Sequence, residues 1–361
     1  MSQNTFLYIG AEGGDLIRVL DPVSMTLAAT ITVAGAADFL ELLLSPDGAF
    51  LYALSNNITS AVIYKIDTSS NTVVGTSSPG VGSLTHYMSM AISPDGATLY
   101  AVGTGGIGYD TYATSGMTFG AAWGDRSASN EGILVAISPD GTVLCSCGTL
   151  NFVTTRANTL QFYRVSDGDL LGSFTAPIQA GDGRYIYGAV LFSVDGSQVY
   201  AVGDRQLSNG NELLIDTVSA STFLLASTTI IQSLFSGNTG HSASLNPAGT
   251  DLWVDESNAG TLRDYTVSNF AFNATAAIFT PSSVIDTAIL FDGASLYATD
   301  GTGIVRKLST ATRAVVATYT DASIELHAIA AAPPAGPPAP PSPPTLNPAS
   351  ASCPPEITLS W

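Results

Sequence analysis

Ser93-Pro94-Asp95-Gly96-Ala97-Thr98-Leu99-Tyr100-Ala101-Val102 is a tight turn followed by a strand, and the chain repeats it along its length. Proline presets φ at the first central position, aspartate tolerates the next, and glycine supplies the positive φ that closes a hairpin. The same unit stands at Ser45-Pro46-Asp47-Gly48, Ser138-Pro139-Asp140-Gly141 and Ser193-Val194-Asp195-Gly196. Degenerate copies follow at Asn246-Pro247-Ala248-Gly249 and Phe291-Asp292-Gly293. Phe6-Leu7-Tyr8-Ile9 is the strand without its turn.

Measured at positions 8, 52, 100, 145, 200, 253 and 297, the spacings are 44, 48, 45, 55, 53 and 44 residues. Short strands repeating at this period predict the blades of a β-propeller. Each copy is followed by two more strands, such as Ala61–Ile66 and Thr72–Thr76, and preceded by a small-residue apolar strand, such as Met88–Ile92. Four strands per repeat make one blade, with the small-residue strand innermost. The chain starts on the second strand of a blade, and Leu326–Ala332 supplies the missing inner strand. Pairing the two ends closes a seven-bladed all-β ring and removes exposed sheet edges at the closure.

Residues 93–102, together with Tyr64-Lys65-Ile66-Asp67-Thr68-Ser69-Ser70-Asn71-Thr72-Val73-Val74, resemble the YVTN-type β-propeller repeat of lactonase-like and surface-layer propellers. The resemblance spans roughly residues 5–332 and is closest in the first, second and seventh blades. It implies the fold. Propellers of this kind include enzymes, binding modules and surface components, so it does not choose among them.

The composition narrows the partners. The 361 residues carry 29 Asp+Glu against 11 Lys+Arg, a net charge of −18, and Lys65 and Lys307 are the only lysines. Such a surface repels phosphate backbones and anionic lipid, which excludes nucleic-acid binding. Mean hydropathy is +0.29, yet no apolar run approaches the ~18 residues of a spanning helix, so no membrane insertion is expected. The N-terminus reads as lacking a cleavable signal peptide. Cys145 and Cys147, two apart on one strand face, are poorly placed for a mutual disulfide, and with Cys353 they show no zinc spacing. They read as buried thiols.

The expected domains are a propeller over 1–332, a proline-rich arm over 333–348, and a β-stub over 349–361 that could begin a further domain. The arm is a stiff polyproline-type spacer of ~3.1 Å per residue.

No nucleophile elbow, phosphate loop, zinc-protease motif or EF-hand loop occurs; Gly240-His241-Ser242-Ala243-Ser244 lacks the final glycine of an elbow. Propeller geometry points instead to the mouth of the axial channel, where Glu41, His86, Glu131, His241, Asp286 and His327 fall near the starts of inner strands. A ring of imidazoles and carboxylates there would hold a divalent cation or a polar ligand, with a water-filled polar channel as the alternative. No other cofactor is expected. The connections near 104–130, 149–157, 177–187, 204–211 and 231–240 carry Tyr109, Tyr112, Trp123, Phe152, Arg156, Tyr185, Tyr187, Arg205 and Phe235. These are candidates for protein or glycan contact, while Trp123 and some tyrosines equally suit packing between blades.

The favoured function is a non-catalytic binding or structural module in an extracellular or virion-like assembly, rather than a cytoplasmic protein. It would meet other subunits through the arm and the variable-loop face. A lactonase-like hydrolase at the channel mouth and a glycan-binding adhesin are the alternatives.

Overall fold

The computed structural model describes residues 6–11, 13–57, 60–77, 86–104, 106–124, 131–149, 158–177, 185–235, 242–256, 260–277, 286–289, 293–299, 303–321 and 326–330. Phe152, Arg156, His241, the proline-rich arm and the β-stub lie outside them. Every regular element among the described residues is a strand, and no helix long and apolar enough to cross a membrane occurs there.

The first blade holds β1 (Leu7–Ala11), β2 (Leu16–Asp21) and β3 (Thr26–Thr32). The second runs β4 (Phe39–Leu44), β5 (Phe50–Asn57), β6 (Ser60–Asp67) and β7 (Thr72–Thr76). The third runs β8 (His86–Ile92), β9 (Thr98–Thr104), β10 (Gly106–Ala113) and β11 (Thr118–Trp123). The fourth is β12 (Glu131–Ile137), β13 (Val143–Thr149), β14 (Thr159–Arg164) and β15 (Leu170–Thr175). The fifth is β16 (Tyr185–Phe192), β17 (Gln198–Leu207), β18 (Gly210–Ser219) and β19 (Leu225–Phe235). The sixth is β20 (Ala243–Leu245), β21 (Asp251–Glu256), β22 (Thr261–Thr266) and β23 (Ala271–Ala277). The seventh is β24 (Asp286–Ile289), β25 (Ser295–Thr299), β26 (Ile304–Ser309) and β27 (Val315–Thr320), and β28 (Leu326–Ala330) is the last described strand.

Each blade is an antiparallel meander, and β28 completes the first as β28-β1-β2-β3, with Tyr8 opposite Ala330 and Ile9 opposite Ile329. The third and fourth blades are joined at one residue, because Glu131 pairs with both Thr104 and Gly106. The core is correspondingly divided. Seven clusters of buried residues each join two neighbouring blades, and one of them sets Leu7, Ile9 and Ile329 against Tyr297 and Val305 of the seventh. Ion pairing and lysine add to the closure: Arg18 Nε donates to Asp321 Oδ2 at 2.7 Å, and Lys307 Nζ to the Pro22 carbonyl at 2.7 Å. Lys65, at the equivalent place in the second blade, donates to the Thr114 carbonyl of the third at 2.8 Å. Both lysines of the chain are fasteners between blades.

The repeated turn is built by its serine as well as by proline and glycine. Ser93 Oγ donates to Asp95 Oδ1 and accepts the Thr98 N–H at 2.9 Å, while Gly96 takes a φ of 72°. The same bonds recur around Ser45, Ser138 and Ser193. In the sixth blade Asn246 Oδ1 takes over, accepting from the Thr250 and Asp251 amides. Pro46, Pro94, Pro139 and Pro247 each pack on the turn glycine of the next blade, Gly96, Gly141, Gly196 and Gly293, which ties the turns into a ring.

Chiefly through the serine hydroxyl, these turns hold the carboxyls of Asp47, Asp95, Asp140 and Asp195 below the usual aspartate range, to about 2 for Asp195. A carboxyl with a lower pKa folded than unfolded stabilises the fold fully above about pH 4 and ceases to as pH falls through its folded value. The urea midpoint should therefore drop between about pH 4 and pH 2. Replacing the four serines with alanine should flatten that drop; an unchanged pH profile in the variant would contradict this account of the turns.

A second repeated device lies between the third and fourth strands of every blade. Met25, Asn71, Met117, Phe223, Phe270 and Arg313 adopt φ of 50–60°, and Gly168 73°, at the corresponding turn position. For the non-glycines this left-handed conformation is uncommon. It aims the side chain at the preceding blade: Phe223 meets Phe162 at 5.0 Å between ring centroids, Phe270 meets Tyr200 at 5.5 Å, and Met117 joins the cluster around Tyr52. Trp123 works in reverse, covering Gly168 so closely that a Cβ there would lie 2.2 Å from the indole.

Candidate functional site

The inner strands β4, β8, β12, β16 and β20 enclose a channel cavity of about 680 Å³. Its walls are mostly small or apolar, with Leu43, Met90, Ile92, Leu134 and Ala136 prominent and Glu41, Ser89, Ser242 and Ser244 the polar contributors. Inner strands run close to the axis, so the sequence places small side chains there and leaves backbone facing the lumen.

Glu41 is committed to structure. Its Oε2 accepts the Met90 N–H at 2.6 Å, bridging the second and third blades where a bulge interrupts β8. Strand register gives the described channel-mouth candidates different levels along the axis. Glu41 and Asp286 sit opposite Leu54 and Thr299, whereas His86 and Glu131 sit opposite Thr104 and Thr149, two residues farther along the second strand. That is a step of about 7 Å. His327 falls where the β1–β28 register shifts, between the pairs at Ile9 and Ala11. His86 is half-buried; the side chains of Glu131, Asp286 and His327 lie outside the described residues, as does His241. Among the described residues no three His, Cys, Asp or Glu side chains group as metal ligands.

Four of the six expected surface contacts whose side chains are described, all tyrosines, are interior. Residues 106–123 form β10 and β11 rather than a connection, and Tyr109 and Tyr112 are fully buried. Tyr185 and Tyr187 lie on β16 and are no more than 3% exposed. The reason is a pair of buried carboxylates. Asp216 Oδ2 accepts from the Tyr185 hydroxyl at 2.6 Å and the Tyr187 hydroxyl at 2.5 Å, and its Oδ1 accepts from Thr228. Asp110 receives the Tyr87 hydroxyl at 2.7 Å, and Tyr87 in turn bonds Tyr112. Burial, reinforced by these carboxylates, raises Tyr87, Tyr185 and Tyr187 above the ordinary phenol range and keeps them as donors. Arg205 is on β17 and spends its guanidinium on Glu212 of β18, at 2.5 Å. Phe235 ends β19, and its side chain lies outside the described residues. Trp123, half-exposed on β11, is the one of the nine whose described side chain reaches the surface without an ionic partner. Cys145 and Cys147 are free, buried thiols pushed up in pKa by burial.

The surface feature that sequence reasoning missed is the rim. The outermost strand of every blade, β3, β7, β11, β15, β19, β23 and β27, ends its sheet. None of the seven contains Asp, Glu, Lys or Arg. The strand next inward carries at least one charge in every blade, from Arg18 to Lys307. The rim also exposes large apolar side chains, including Leu170 (54%), Phe272 (53%) and Val316 (55%). Proteins usually blunt such edges with charge, proline or bulges, because unpaired backbone amides and carbonyls there template pairing with another chain. Here charge is missing, while a register shift interrupts the outermost pair of every blade, as at Val19/Leu20 and Lys65/Ile66.

No protein-family model and no curated protein matches this chain. Solved structures do. A chain of Kuenenia stuttgartiensis hydrazine synthase superposes with a TM-score of 0.71 at 16% identity, covering 86% of this chain and 93% of that one. A functionally unknown protein from Desulfotomaculum acetoxidans DSM 771 gives 0.66 at 16% identity, covering 92% and 100%. At this identity the likeness concerns the fold alone: the chain is a seven-bladed β-propeller.

Proposed function

We propose that this protein is a non-catalytic structural propeller of the YVTN type that builds into a larger extracellular or virion-like assembly by its rim. The observation that carries the reading is the absence of charge from all seven outermost strands in a chain of net charge −18. Like-charged copies repel over most of their surface, and the neutral edge is where two copies approach at least cost. There the free backbone groups of one edge strand pair with those of the next, as in β-augmentation. The proline arm would act as a tether between neighbouring subunits, its stiffness limiting the entropy lost on docking.

Val74→Lys, Ile230→Lys and Val316→Lys together put a charge on three outermost strands at exposed positions. The triple variant should keep the parent's circular dichroism and urea midpoint. Its self-association in sedimentation velocity should weaken about tenfold or more. Because added lysines reduce the net negative charge, bulk repulsion cannot account for that loss. A wild type that stays monomeric at every concentration, or a variant that assembles equally well, would sink the reading.

A further inference from the structure

The order of the meander gives every rim strand the same direction. In the second to seventh blades the inner strand runs into the repeated turn, the second strand leaves it, the third returns and the fourth leaves again. The first blade has the same order once β28 is counted. All seven outermost strands therefore start at the face that carries the turns and run toward the opposite face. Their two ends differ. Near the turn face the register shift skips one residue, Ala28, Leu171, Asn273 and Val316 among them, and such a bulge bends the strand. Toward the opposite face the pairing is regular over four residues in five blades: 29–32, 172–175, 227–230, 274–277 and 317–320. Hydroxyl residues recur at the exposed positions of these runs, as at Thr30, Thr32, Ser173, Thr175, Thr318 and Thr320.

Charge divides the same way. Asp21, Asp67, Asp167 and Asp169 stand in the turns that open β3, β7 and β15. Asp21 and Asp67 accept backbone N–H groups of their own turns, and Arg164, paired to both Asp167 and Asp169, offsets one charge of those two. At the other end β3, β7, β15 and β27 finish on Thr32, Thr76, Thr175 and Thr320, and Asp321 beyond the last is matched by Arg18. These asymmetries bear on how a second copy docks, given the rim contact proposed above. Two rings side by side with the same face up present parallel strands and set their acidic turn ends together. With one ring inverted the strands are antiparallel, the more stable pairing per residue. The regular runs then overlap, threonine and serine meet across the pair, and the acidic ends lie apart. We infer that the partner of a rim edge is the rim edge of a second copy turned upside down, so that neighbouring rings alternate in direction.

A mark on one face tests this. Ala248, exposed in the repeated turn of the sixth blade, lies on the turn face. The full chain with Ala248→Cys and Cys353→Ser keeps Cys145 and Cys147 as its other thiols, and both are buried. It should take one maleimide-gold particle per copy and keep the parent's urea midpoint. Imaged edge-on by electron microscopy at concentrations where the parent associates, the gold should alternate sides from each ring to the next. Rings joined at their rims with the gold all on one side, or without alternation, would overturn the inversion and leave the rim contact standing. Rings stacked along the channel axis, or single rings at every concentration, would overturn both.

Discussion

A chain ending at Asp321 should fail to form the closed ring, whereas one ending at Ala332 should fold like the full protein. The difference between them contains β28. Ala328 and Ala330 belong to the cluster between the first and second blades, and Ile329 to the cluster between the seventh and first. Losing β28 removes the ladder to β1 and strips cover from Tyr8, Leu7 and Ile9, all fully buried in the intact ring. Burial of the isoleucine contributes about 1.5–3 kcal/mol. Each backbone bond lost from β1 adds about 1 kcal/mol, and an edge exposed at the axis adds more. The total approaches about 5 kcal/mol, the whole stability of a marginal domain. The Arg18–Asp321 pair survives in the shorter chain, and a single partly buried pair does not replace a strand. Urea unfolding with hydrogen exchange at β1 checks this: coincident midpoints for the two truncations would contradict closure by β28.

Asp216→Ala is the second large effect. The carboxylate is buried and accepts from three hydroxyls, those of Tyr185, Tyr187 and Thr228. Alanine leaves two buried phenols without an acceptor and a void beside them. At about 1–3 kcal/mol for each unsatisfied buried donor, not fully additive, the expected loss is about 4 kcal/mol. Asp216→Asn keeps one acceptor oxygen and should cost roughly half as much. Since both phenols stay protonated far above neutrality, the loss should be the same at pH 6 and pH 9. An unfolding free energy from urea titration within about 1 kcal/mol of the parent's would show that the tyrosines find other partners.

The blade count was legible because the turn is local chemistry. Ser93, Pro94, Asp95 and Gly96 make their own hairpin from bonds spanning five residues, so the motif marks a strand junction wherever it stands. Closure followed from counting strands. The third and fifth blades were misread because Gly-Ile-Gly-Tyr-Asp-Thr-Tyr-Ala and Gly-Asp-Arg-Gln-Leu have the composition of loops. Their polar residues are strand positions whose partners, Tyr87 for Asp110 and Glu212 for Arg205, come from neighbouring strands rather than from water. Of the channel-mouth candidates, Glu41, His86, Glu131, Asp286 and His327 lie near the starts of described inner strands. A bulge of one residue decides their level, and Tyr87/Ser89 and Gly132/Leu134 each carry one. The rim was invisible for a different reason. Strands such as Thr-Val-Val-Gly-Thr and Val-Val-Ala-Thr-Tyr-Thr read as ordinary until strand order shows that all of them are outermost. The ion pair of Arg313 with Asp264 joins residues 49 apart across two blades, beyond any local pattern.

Electron-microscope imaging of the concentrated protein, resolving where neighbouring copies touch, tests the assembly reading most directly. The expected picture is rings meeting edge to edge in one plane, with outermost strands of adjacent copies side by side. Rings stacked face to face along the channel axis, or separate rings at every concentration, would contradict it.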